Sequence, residues 1–215
     1  MTMTPRVRKF ALTVHVTSSV GWLGAVAGFL ALSVAGLTSQ DAQKVRAAYL
    51  AMELTGWFVI VPLAFATPLT GLVQSLGTAW GLFRHYWVLV KFLITIPATV
   101  LLLVHMKPIG HLASVVAATT LAGGELAGLQ IQLVADAGAA LLALLVATTL
   151  AVYKPRGMTS YGRQQLERRG IGAEPSRGLN TATPRWVYVS GIIVIVLILL
   201  FFFQHLTGGG LGGHT

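Results

Sequence analysis

The residues best placed to do chemistry in this chain lie inside apolar runs. The segment HVTSSVGWLG, His15 to Gly24, sets a histidine, two serines and a tryptophan within such a run. Seven positions separate His15 from Trp22, so at about 100° per residue a helix brings them within roughly 20° of each other, on one face. Two readings of His15 stand side by side: a polar group bonded to a neighbouring hydroxyl or carbonyl, or a ligand, because ionisable groups within membrane helices are costly and mark function by default. The segment HYWVLVKFL, His85 to Leu93, carries Trp87 at the start of another apolar run and Lys91 about a turn inside it. Lys91 either snorkels back to the interface or faces the bundle and holds an anion, such as a carboxylate or a cofactor propionate.

A further constellation comprises Glu53, His105, His111, Asp136 and His205. Imidazole and carboxylate suit zinc, copper or iron, while histidines at the ends of membrane helices also occur without any chemistry. The chain has no cysteine, which excludes disulfides, thiolate metal sites, iron-sulfur clusters and covalently attached c-type haem. Asp136 lies about a turn and a half inside its run. It is expected to be buried against a partner such as His105, Glu53 or a bridging water, since an unpaired carboxylate in lipid is strongly disfavoured. Depth restricts shared ligation: His15 and His105 should lie about 20 Å apart along the helix axes, and a metal-imidazole bond is about 2 Å. The axial pairs that depth allows are His15 with His85, which requires that helix to begin before its apolar run, and His105 with His205.

These residues need rigid elements to hold them, and the elements are membrane spans. A hydrocarbon core of about 30 Å takes about 20 helical residues, and residues 10–37, 54–76, 87–105, 130–153 and 186–205 all meet that length. The expected fold class is therefore an all-α polytopic membrane bundle of five transmembrane helices, the first four forming an antiparallel core. Three regions follow: a four-helix membrane core over 1–153, a basic cytoplasmic connection over 154–185, and a fifth membrane helix with a Gly-rich external tail over 186–215. The first span is too long an apolar run for a signal peptide. Residues 106–129 read as an outer loop with a short interfacial or re-entrant helix. A brief basic helix is expected around Arg163 to Arg169. Pro62, Pro68 and Pro97 interrupt spans two and three, and the carbonyls they free must find hydroxyls, water or neighbouring helices. Gly24-x-x-x-Gly28 is a contact motif for a neighbouring helix.

Charge sets the orientation independently. With Lys91 set aside, eleven of the fifteen basic residues fall before the first span, around Arg84 or in the 154–185 connection, against three (Lys44, Arg46 and Lys107) in the other loops. Short cytoplasmic loops carry such an excess, so the N-terminus is expected inside and the C-terminus outside. Hydrophobic residues make up 55% of the chain, charged residues 10%, and the mean hydropathy is +0.76, values foreign to a soluble domain. The net charge of +9 is then accounted for by inside loops facing anionic lipid headgroups, and nucleic acid is not an expected partner. A homo-oligomer is left open.

The two quoted segments, HVTSSVGWLG and HYWVLVKFL, resemble the His-x6-Trp and Trp-x3-Lys elements of a group of small bacterial membrane proteins. That group holds the J-type protoporphyrinogen oxidases and the copper-resistance D-type membrane domain. The chain is most similar to a related uncharacterised bacterial integral membrane family, which LLVATTLAVYKPRG, Leu144 to Gly157, also resembles. Coverage is spans one to four. The resemblance implies a four-helix core in the bacterial inner membrane in which His15 binds haem b and Trp87 with Lys91 lines the same cavity, alongside Trp22. Where the oxidases carry a Pro-Arg-Leu element, this chain has Ala25-Val26-Ala27-Gly28, which sets it apart from protoporphyrinogen oxidation. Three functions follow as expectations: binding of haem b or a porphyrin in a redox or haem-handling role; a permease or a copper- or zinc-handling protein using the outer His and carboxylate cluster; or an accessory subunit without chemistry. The topology is testable at once. Reporter fusions at Gly170 and Thr215 should report opposite sides of the membrane, and finding both on one side would exclude five spans.

Overall fold

The computed structural model describes residues 3–77, 81–118, 124–155, 157–168, 184–192 and 196, with side chains at all of these except 107–108, 111–118, 124–126 and 166–167. Helix α1 (Pro5–Thr38) opens on a proline, at the position where a missing N–H costs nothing because that group has no intrahelical acceptor. Helix α2 (Ala42–Thr55) begins after a three-residue turn, with the Asp41 carboxylate accepting from the Gln43 N–H at 2.9 Å. A single π-helical turn, Gly56–Ile60, joins α2 to α3 (Val61–Gly77). Helices α4 (Tyr86–Ala118), α5 (Gly124–Tyr153) and the short α6 (Ser160–Arg168) follow. Residues 185–192 are also helical.

Four of these stretches are long and apolar enough to cross a membrane: Pro5–Thr38, Ala42–Gly77, Tyr86–Met106 and Ala127–Tyr153. Helix α1 packs on α2, α3 and α5, and α4 packs on the same three, which places α1 and α4 across the bundle from each other. The core joins Trp22, Val26 and Phe29 to Tyr49, Met52, Ile60, Ala64, Met106, Leu133 and Ala137. A smaller cluster of Val90, Ile94, Ala147 and Leu150 carries Trp186 and Val187 on its side. Outside these clusters the helices stay bare: Phe10 is 71% exposed and Phe58 76%. Water would penalise such a surface, whereas lipid tails do not, so the exposed face is the face toward the bilayer.

The prolines are accommodated as membrane helices require. Pro68 cannot donate to the Ala64 carbonyl four residues back, and the Thr99 hydroxyl of α4, which shares its proton with the Thr95 carbonyl at 2.9 Å, reaches that oxygen at 3.1 Å. Upstream of Pro62 the helix widens, and the Val61 N–H reaches five residues back to the Gly56 carbonyl. Such π-turns and prolines are recognised origins of helix distortion.

Three expectations need revision. Residues 106–118 and 124–129, expected in an outer loop, are helical, because α4 runs on to Ala118 and α5 starts at Gly124. The segment before span two is likewise helical from Ala42. In both cases the helix continues past the apolar run, because the backbone hydrogen bonds of a helix do not have to stop where hydropathy falls. Among the described residues Gly24 and Gly28 form no close helix contact, as a Cβ at either would meet nothing within 4 Å. The close approach lies at Gly36, where a Cβ would stand 2.7 Å from the Tyr49 ring. The fifth span falls mostly outside the described residues.

These contacts separate two glycines that look alike in sequence. Relative to Gly24→Ala, Gly36→Ala should be less stable by about 1–3 kcal/mol, the cost of overpacking a filled core, measured by denaturant unfolding in detergent micelles. Equal stabilities would contradict the Gly36–Tyr49 packing.

Candidate functional site

A cavity of about 430 Å³ opens between α1, α3, α4 and the end of α5, at the end of the bundle that carries the N-terminus. Arg8, Leu12, His15 and Val16 reach it from α1, Thr67, Gly71 and Gln74 from α3, Trp87, Val88, Lys91 and Phe92 from α4, with Ala151 and Lys154 beyond. Its walls are mostly apolar. Three of its lining side chains are cationic, and no carboxylate is among the described lining residues. Lys154 adopts a left-handed backbone, φ 41°, a conformation rare outside glycine, where α5 gives way to Pro155.

His15 is the best-defined group in the cavity. Its Nδ1 lies 3.0 Å from Thr70 Oγ1, and its Nε2 lies 3.0 Å from Lys91 Nζ. The Thr70 hydroxyl proton is committed to the Ala66 carbonyl at 2.6 Å, so the oxygen offers a lone pair to the ring. His15 Nδ1–H therefore donates to Thr70, and Lys91, which has only donors, donates to the lone pair on Nε2. Lys91 thus turns inward across the bundle from α4 to α1 instead of running out to the interface. Gly71 makes room for this ring: a Cβ there would stand 3.1 Å from His15 Cε1.

The other residues singled out from the sequence are distributed as follows. Trp87 and Lys91 share the cavity with His15, whereas Trp22, 2% exposed, lies in the main core and is not among the lining residues. His85 immediately precedes α4, forms a backbone bridge with Met158 and is not among the described cavity-lining residues. That bridge belongs to a tied junction: the Thr159 N–H donates to the Arg84 carbonyl at 3.0 Å, the Thr159 hydroxyl donates to the Phe83 carbonyl, and Gly162 sits against the Arg84 backbone. Arg8 and Lys154 as cavity walls were not anticipated. Arg8 was visible in principle, since Arg8, His15 and Trp22 repeat every seven residues.

At the opposite end, His105 Nε2 meets Asp136 Oδ2 at 2.7 Å, joining α4 to α5, with the side chains 9% and 14% exposed. The His105 Nδ1–H donates to the Leu101 carbonyl at 2.8 Å, so a second proton must lie between Nε2 and the carboxylate. Written as an ion pair or as neutral partners, the unit carries no net charge, which is what a dry site tolerates. His105 is the partner that the burial argument asks of Asp136. Ala140, Ala143 and Ala147 on the same helix pack inward with it. Glu53 lies near Gly110, with Oε1 3.5 Å from a Cβ placed there. The His111 side chain and His205 lie outside the described residues. Among the described residues no group of three or more His, Asp or Glu is arranged to hold a metal ion.

Helices, composition and lipid-facing surface define the class: an integral membrane protein with several helical spans. Set against protein-family models, curated proteins and solved structures, the chain matches none. Function is therefore argued from the cavity and the buried pair.

The buried pair carries its own test. His105→Ala and Asp136→Ala should each cost about 3 kcal/mol, because removing one partner strands the other in a dry site. The double variant should cost clearly less than the sum. Additive losses in micelle unfolding would show that the two residues act separately.

Proposed function

We propose that the protein binds haem b or a closely related porphyrin in the cavity at its cytoplasmic end, in a redox or haem-handling role within a five-span bacterial inner-membrane protein. The observation that carries this reading is the pairing of an imidazole acceptor nitrogen, engaged by Lys91, with an all-cationic set of charged walls in one apolar cavity. A porphyrin of this kind presents a metal, a large apolar face and two carboxylates. The cavity offers a complement to each, and its volume lies in the range of about 300–1,000 Å³ usual for small-molecule sites.

Fit depends on the donor set. The lone pair of His15 is on Nε2, the nitrogen that Lys91 reaches, while Nδ1–H is anchored by Thr70. Ring anchoring through the second nitrogen is the usual way a metal-binding imidazole is oriented. Leu12, Val16, Val88 and Phe92 supply apolar walls, and Trp87 a ring. Lys91, Arg8 and Lys154 supply positive charge for carboxylates. An iron porphyrin contributes one-electron redox chemistry when bound, with a potential set by its axial ligand and surroundings. The chain's own part is to hold it, orient the ligand and limit water. The resemblance of HVTSSVGWLG and HYWVLVKFL to haem-associated membrane proteins points the same way.

Purified protein supplied with haem b should develop a Soret band characteristic of histidine ligation, and His15→Ala should abolish or strongly alter it. A protein that stays colourless with haem supplied would defeat the proposal. Full loading with an unchanged spectrum in His15→Ala would remove His15 as ligand and transfer the question to His105.

A further inference from the structure

We propose that Lys91 is a displaceable cap on His15 that makes the cavity selective for ligands bearing an acidic group. This inference rests on the haem reading and adds to it a rule of selection. One lone pair on Nε2 cannot both accept from the Lys91 ammonium and bind a metal. With Lys91 at 3.0 Å from Nε2, and Nδ1 anchored to a threonine whose own proton is already used, the ring has no second nitrogen to offer. Metal ligation at His15 therefore requires Lys91 to leave.

Leaving is costly unless the ammonium gains a new partner. Lys91 lies about a turn and a half inside the span, in a cavity with no described carboxylate, so its described walls offer the ammonium only the neutral oxygens of Thr67, Gln74, Ser75 and Thr95, and none supplies a counter-charge. A carboxylate on the incoming ligand does. It forms a charge-assisted hydrogen bond with Lys91, stronger than the one to a neutral imidazole nitrogen, and frees Nε2 in the same step. No covalent bond changes and no proton is lost from the cavity. A ligand with the same metal and apolar face but an esterified acid leaves the ammonium either on Nε2, blocking ligation, or stranded in an apolar site. Arg8 and Lys154 cannot substitute, because both are exposed at the mouth and keep their contact with water.

The test uses the full-length protein in detergent, titrated with haem b, haem b dimethyl ester and metal-free protoporphyrin. Wild type should bind the ester roughly tenfold or more weaker than haem b, the difference one charge-assisted hydrogen bond makes. Lys91→Met should narrow that preference at least as much, largely by binding the ester better, while Lys91→Arg should keep it. In ¹⁵N-histidine spectra, metal-free protoporphyrin should move the His15 Nε2 signal of wild type to its position in Lys91→Met. Elution volume and circular dichroism show whether each variant is folded, and Lys91→Arg carries the comparison if Lys91→Met is not. Equal affinity of wild type for haem b and its ester, or an undiminished preference in Lys91→Met, would overturn the cap while leaving haem binding intact. Failure of wild type to bind haem b at all would overturn the haem reading and the cap together, a result seen directly as no Soret band.

Discussion

A hydrogen-bonding group inside a bilayer has no water to fall back on, and this constraint organises the bundle. Apolar contact drives helices together weakly when lipid tails are as apolar as leucine, so packing and the few cross-bundle polar bonds decide which faces meet. Pro68 deletes a backbone donor, and Thr99 answers from α4. Asp136 brings a carboxylate, and His105 answers from the same neighbour. His15 is held by Thr70 of α3 and reached by Lys91 of α4, which ties three helices at one depth. Each bond satisfies a group that would otherwise make its span untenable, and each thereby fixes a helix in rotation about its axis.

The two ends of the bundle use the same constraint differently. At the His105–Asp136 end the polar groups close on each other, and a neutral, nearly dry unit results. At the His15 end the balance is left open: a neutral imidazole and an ammonium share one bond, with two further cations at the mouth and no described acid beside them. A closed pair is a fastening. An excess of positive charge around an apolar cavity is the feature on which the haem proposal rests.

Much of this was legible in the sequence, for reasons that also explain the gaps. Four spans were readable because hydropathy averaged over about 20 residues reports the solvent directly, whether lipid or water. Helix ends were not, since α2 and the C-terminal part of α4 continue past the apolar runs on backbone bonding to which hydropathy is blind. The polar residues that matter were visible as anomalies: His15, Lys91 and Asp136 each interrupt a run. Their partners were only partly visible. His105 could be named for Asp136 from depth, whereas the choice of Thr70 for His15 depends on how α1 rotates against α3. Trp22 misled, because sharing a helical face with His15 does not mean sharing a cavity when two turns separate them along the axis. Lys154 entered the cavity through a backbone turn after α5 that no periodicity encodes.

The central claim is that a metal porphyrin is held at His15, and locating the iron tests it most directly. Anomalous scattering at the iron edge, from crystals of the protein loaded with haem b, should place one iron about 2 Å from His15 Nε2, the usual metal-imidazole distance. Iron at the His105 end, or none within the bundle, would contradict the account.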